Sequence, residues 1–186
     1  MPRLWSETID AHRRTVRDAT IDATAALVAE HGLSGVTMSR IAQETGIGRA
    51  TLYKYFPDVD AILFAWHERQ VHRHLVHLAA VRDEADDPLP AVLAAWAEIQ
   101  HRHRRGPLEA LVHAGEHMAH GRQVLNDLVR DLVSDGVEAG RVRDDVPPAE
   151  LAAFCLHALE AAVDAPTRAA VGRLVDLTMA AVRPGD

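Results

Sequence analysis

Cysteine occurs once in the 186 residues, at Cys155, so neither an intramolecular disulfide nor a cysteine-built zinc site can form. A lone thiol fits a reducing cytosol. Aromatic side chains are scarce too, at 4% of residues against 48% hydrophobic residues overall. With alanine, valine and leucine dominating, closely packed helices are the expected core. No apolar run approaches the roughly 18 residues that a membrane span requires. The opening stretch MPRLWSETIDAHRR lacks an apolar segment of signal-peptide type. A cytoplasmic, soluble protein with no membrane partner is therefore expected. β-Alternation of useful length, internal repeats and low-complexity linkers are missing as well.

Positive charge is in deficit. Twenty lysines and arginines face 27 acids, a formal net charge of −7, and Lys54 is the only lysine. Such a balance argues against nonspecific coating of nucleic acid, where phosphate neutralisation supplies the affinity. The deficit is uneven. Residues 1–56 hold seven basic and six acidic groups, about +1, which leaves about −8 for the remainder.

What is present reads as helix throughout. Over 9–31, Val16, Ala19, Ala23 and Leu27 recur at spacings of three and four, with Gly32 as the stop. Thr37 is placed to N-cap the next helix, Gly46 to turn the chain, and Asp58 to N-cap a long helix from Val59 to about Ala80. Ile41, Ile47 and Leu52 would form a small apolar core. Beyond, Asp86-Asp87-Pro88-Leu89-Pro90 separates it from a helix running to about His103, and Gly106-Pro107 opens one ending near Gly121. Leu125, Leu128, Leu132 and Val133 mark a helix stopping by Gly140. Pro147-Pro148 starts another, with Leu151, Cys155, Ala158 and Ala162 along one stripe. Pro166 precedes a last helix carrying Val171, Leu174, Thr178 and Ala181. About nine helices result.

The informative stretch is TMSRIAQETGIGRATLYKYF, residues 37–56. It reads as two short helices joined at a glycine, the second carrying Arg49, Thr51, Tyr53, Lys54 and Tyr55. In a helix-turn-helix the second helix enters the DNA major groove, which calls for polar and cationic side chains there. Arg49 can present a two-pronged donor to guanine O6 and N7. The hydroxyls of Thr37 and Thr51 and the ammonium of Lys54 suit phosphate oxygens, which set register without reading sequence. Leu52 and Phe56 fit core packing by their spacing. For Tyr55, packing and contact stay open.

A helix ending at Gly32, Ile41-Ala42, Gly46 and TLYKYF at 51–56 together resemble the tetracycline-repressor (TetR) family of transcriptional regulators. The specific part covers about residues 16–64. The rest matches in outline, through AGRVRDDVPP at 139–148 and LTMAAVRP at 177–184. The resemblance implies an all-α fold with a DNA-binding head over 1–56 and a ligand-binding and dimerisation body over 57–186. It implies a non-enzymatic, cofactor-free repressor that binds a palindromic operator as a homodimer and is released by a small molecule. Arg49, Ala50 and Tyr53 fall at base or groove contacts, and Thr51, Lys54 and Tyr55 at phosphates or bases. Thr37 and Ser39 start the supporting helix. The two last helices would form the dimer bundle, their alanine-rich stripes at 151–162 and 171–181 permitting close packing. Two departures stand out: Gly48, where many relatives have serine, and Val59, where many have a phosphate-gripping lysine. Arg13, Arg14 and Arg17 are candidates to compensate, against the plainer reading of a solvated charged face.

Twelve histidines are many for this length. They cluster at 67–77, at 101–103 and at 113–120. His113-Ala114-Gly115-Glu116-His117 has the H-x-x-E-H spacing of inverted zinc peptidases, so a histidine-based metal protein or zinc hydrolase is the alternative reading. With twelve histidines and eleven glutamates, chance alone gives such a pentapeptide in about one chain in twenty of this composition, a weak signal. In the family the helices after the head enclose a small-molecule pocket. Trp66, His67, Trp96, His113, His117 and Met118 are the candidate lining, chosen as amphipathic or adaptable groups. Cys155 reads as a small buried hydrophobe rather than a thiol switch.

Overall fold

The computed structural model describes the backbone of residues 3–102 and 116–185 and the side chains of 11–102 and 120–185. Among the described residues the chain forms eight α-helices and no strand, an all-α fold. It divides into two compact units, the first running to Gln70 and the second beginning at Val71.

The first unit holds α1 (Arg3–His31), α2 (Met38–Thr45), α3 (Arg49–Tyr55) and the first half of α4 (Val59–Glu84). Helix α1 starts earlier than its apolar spacing suggested. Its buried face is also rotated from the expected one: Ala19 is exposed, while Thr20, Ile21, Thr24, Leu27 and Val28 are buried. Threonine can go inside because each hydroxyl is satisfied within the helix. Thr20 Oγ1 donates to the Val16 carbonyl and Thr24 Oγ1 to the Thr20 carbonyl, both at 2.8 Å. Gly32 ends α1 at φ 69°, a left-handed conformation that costs glycine little. Thr37 then caps α2, its hydroxyl accepting from the Arg40 amide at 3.2 Å. Gly46 takes φ 67° at the end of α2, and α3 begins three residues later. Asp58 caps α4 by accepting from the Ala61 amide at 2.8 Å. Ile41, Leu52, Phe56, Ile62 and Leu63 meet Ile21 and Val28 in one apolar cluster.

The second unit packs the rest of α4 with α5 (Pro88–Arg102), α6 (Glu116–Glu138), α7 (Pro148–Glu160) and α8 (Arg168–Val182). The helix expected from 107 lies mostly outside the described residues. Gly121 does not end it: α6 runs straight through that glycine. A side chain there would collide with α4, since an ideal Cβ would stand 2.6 Å from Val71 Cγ1. Val92 and Leu93 of α5, Val129 and Val133 of α6, Cys155 and Leu159 of α7, and Val182 of α8 are fully buried together. After α6 the chain turns at Gly140, φ 68°, with the Arg141 and Val142 amides donating to the Gly136 carbonyl at 2.8 and 3.1 Å. Arg143 fastens this turn to the end of α8. Its amide donates to the Val182 carbonyl at 2.9 Å, and its guanidinium grips Asp145 through two bonds of 2.6 Å. The same pairing holds the Asp145 carboxyl below its usual range. Thr167 caps α8, accepting from the Ala170 amide at 3.2 Å.

The stripe of Leu151, Cys155 and Ala162 faces inward, as do Val171 and Thr178. Those positions build the body's own core. They are therefore not free to meet a second chain.

Candidate DNA-reading face of the head

Helix α3 is seven residues long and amphipathic in the simplest way. Leu52 is fully buried in the head core, and Phe56, just past the helix, is buried beside it. That anchoring fixes which residues turn outward: Arg49, Ala50, Thr51, Tyr53 and Lys54 are all exposed. Tyr53 leaves 47% of its surface to solvent, high for a ring with a large apolar body. Neither Arg49 nor Lys54 has an ion pair among the described residues. Two uncompensated cations, a hydroxyl and an open ring thus share one short helical face.

Around it, Thr37 and Ser39 are exposed at the start of α2. Thr37 uses an oxygen lone pair for its cap, which leaves its O–H free to donate outward. Tyr55 departs from the group. It is half-buried and packs on the head core, which favours the packing alternative for its ring. Of the flanking arginines, Arg17 is held rather than loosely solvated: its guanidinium stacks 5.2 Å from the centroid of Phe56. Arg14 is exposed on α1.

Both sequence departures have local consequences. Gly48 sits at the N-cap of α3 with no side-chain hydrogen bond to the helix, a loss of a few tenths of a kcal/mol relative to serine. Val59 packs against the head core. At the same helix start, Asp58 already accepts from an α4 amide, so a carboxylate stands where a phosphate would otherwise be received. Any DNA contact by the head would therefore rest on α3 and its neighbours. One contact was invisible in sequence: Arg69 of α4 pairs with Asp22 and, at 3.6 Å, with Asp18 of α1. Arg69 and Asp22 lie 47 residues apart, so no local pattern announces the pairing.

The candidate ligand residues scatter. Trp66 packs on the head core, and His67 is half-buried in the same unit. Trp96 belongs to the second unit, half-buried against the body core. Its indole Nε1 is buried without a hydrogen-bond partner among the described residues. His113 lies outside the described residues, as do the side chains of Glu116, His117 and Met118, although the last three start α6. Among the described residues no three histidine, cysteine or acidic side chains gather to hold a metal ion. Cys155 is fully buried, and burial pushes its thiol up to about 11. No described helix is long and apolar enough to cross a membrane.

Comparison with known proteins places this head. Residues 21–66 match the family described as bacterial regulatory proteins, tetR family. The head thus matches the DNA-binding segment of the tetR family. The match starts in α1 and ends in α4, so it contains the whole helix-turn-helix. An HTH-type transcriptional regulator of Staphylococcus aureus (strain USA300) is 33% identical over 55 residues, 30% of each protein. The likeness to such curated relatives thus spans about a third of their length. In solved structures the TetR-like fold extends over the body too. A TetR/AcrR-family transcriptional regulator from Thermobifida fusca superposes with a TM-score of 0.78 at 19% identity, over 89% of this chain and 97% of that one. SmeT, the repressor of the Stenotrophomonas maltophilia multidrug efflux pump SmeDEF, gives 0.66 at 22% identity, over 90% of each chain.

Proposed function

We propose that the chain is a ligand-responsive transcriptional regulator that binds a palindromic operator as a homodimer and is released by a small molecule. The observation that carries this reading is the outer face of α3. Arg49, Thr51, Tyr53 and Lys54 are exposed there without internal partners among the described residues, while Leu52 pins the helix from behind. Residues 1–56 serve as the reading head and 57–186 as the ligand-binding and dimerisation body. Arg49, Ala50 and Tyr53 address the groove; Thr37, Ser39, Thr51 and Lys54 address the backbone. Tyr55 supports the helix from its half-buried place. The structural likeness to a repressor of an efflux pump supports repression.

Dimerisation is assigned to the outward faces of α7 and α8. Phe154 and Leu177 leave 46% and 67% of their surfaces exposed on those two helices. Pairing them in a symmetric dimer would bring two α3 helices to half-sites about one turn, 34–36 Å, apart. Ligand binding in the body would favour a dimer whose heads miss that spacing, with α4 as the connecting element. A preference of about 1.4 kcal/mol for the mismatched state suffices for a tenfold loss of operator affinity.

The test is fluorescence anisotropy with DNA from immediately upstream of the protein's own gene, at two salt concentrations. A complex that outlasts scrambled competitor and loses part of that preference in Arg49→Ala supports the reading. If neither that fragment nor DNA selected from a random pool binds above competitor, the reading fails.

A further inference from the structure

Within the second unit, α4 and α6 touch where Gly121 meets Val71 and leave a groove along the following turns. Leu75 and Ala79 of α4 and Val124, Leu128 and Leu132 of α6 form its apolar walls around a cavity of about 510 Å³. That volume lies in the range of small-molecule sites. Val76, on the same stretch of α4, leaves 55% of its surface bare, and Val124 is exposed as well. Apolar side chains left open on two neighbouring helices call for an apolar occupant.

The polar groups at the groove decide its charge. Arg82, Asp131 and Asp135 complete the lining. Arg82 is engaged by Asp83, with Nε 2.8 Å from its carboxylate. Asp131 is engaged by Arg130, 2.9 Å away, which also holds Asp127. Asp135 has no ion pair among the described residues. It also stands near the carbonyl end of α6, whose last turn carries no basic residue, and the helix dipole disfavours an anion there. Asp135, exposed at the rim, is thus a carboxylate without a cation of its own among the described residues, set where its helix repels it.

We propose that this groove binds a lipophilic monocation, its apolar body between α4 and α6 and its charge on Asp135. Such a cation would be the effector of the regulator proposed above, and that part rests on that reading. Helix α4 contributes Ile62 and Leu63 to the head core and Leu75 and Leu78 to the body core, so an occupant against Leu75 and Ala79 acts on the element both units share.

Two ions of like shape and opposite charge test the site: tetraphenylphosphonium and tetraphenylborate, titrated calorimetrically into the full chain. Saturable binding of the phosphonium alone is expected. Asp135→Asn should weaken it about threefold to tenfold while leaving thermal stability equal or higher. Ala79→Trp, which fills the groove, should abolish it, with the melting transition confirming a folded chain. Equal binding of both ions, or an Asp135→Asn variant that binds as the parent does, would overturn the proposal and leave an apolar face without charge selection. Phosphonium that binds but does not weaken the operator complex would overturn the effector assignment. Calorimetry needs no operator, so failure of the groove and failure of the regulator reading are told apart.

Discussion

Lys54 and Arg49 share a helical face but should fail differently when removed. A lysine on phosphate contributes a point charge that every sequence feels alike. Lys54→Ala should therefore weaken binding to operator and scrambled DNA by a similar factor and flatten the salt dependence by about one counterion. Arg49 can fork onto a guanine, so Arg49→Ala should relax specificity at one position, by roughly 1–3 kcal/mol. Anisotropy against single-base operator variants separates the two outcomes. Cys155 makes a residue-scale prediction about pH. Burial raises its thiol from an ordinary value near 9.0 to about 11. Below pH 9 folded and unfolded chains both hold the proton, and this group contributes nothing to pH dependence. Between pH 9 and 11 only the unfolded chain loses it, so stability falls as pH rises. In urea unfolding, Cys155→Ala should show a shallower fall across that window than the parent. Parallel curves would mean the thiol titrates normally in the fold.

At the scale of elements, Gly121 sets how closely α4 and α6 approach. Alanine is worth about 1 kcal/mol over glycine inside a helix, so on propensity alone Gly121→Ala should stabilise α6. The collision with the β-branched, stiff Val71 opposes this with a strain of typically 1–3 kcal/mol. Net destabilisation is expected, and Val71→Ala in the same chain should restore stability beyond the sum of the single changes. This helix also shows where sequence was legible. Caps at Thr37 and Asp58, the turn at Gly46 and the start at Pro148 depend on neighbours within three or four residues, and those signals were readable. A glycine inside a helical pattern is ambiguous between stop and close approach, and only the position of Val71 resolves it. The face of α1 was misjudged because small alanines resemble core while buried threonines do not. In the head, one anchored helix reveals which side chains turn outward. The body offers no such anchor, so choosing ligand residues by chemical type gathered Trp66 and Trp96 from different units.

For the whole molecule, the proposed dimer turns on which surface would make two heads act as one. The inward stripes of α7 and α8 are spent on the body's core, and the outer faces keep Phe154 and Leu177 exposed. If these residues meet their symmetry mates, charge placed there is repelled by an identical charge and denied apolar cover. The double variant Phe154→Glu, Leu177→Glu should then sediment as a monomer. Its helicity should persist, because neither side chain contributes to the buried core. Operator affinity should fall far more than for any single contact on α3. Two linked heads gain from an effective concentration that raises avidity roughly 10²–10⁴-fold, and a monomer forfeits all of it. Binding to an isolated half-site should be little changed, since α3 and its support lie in the other unit. A double variant that stays dimeric would move the interface away from these faces. One that is monomeric yet binds full operator as tightly as the parent would remove the need for a dimer altogether.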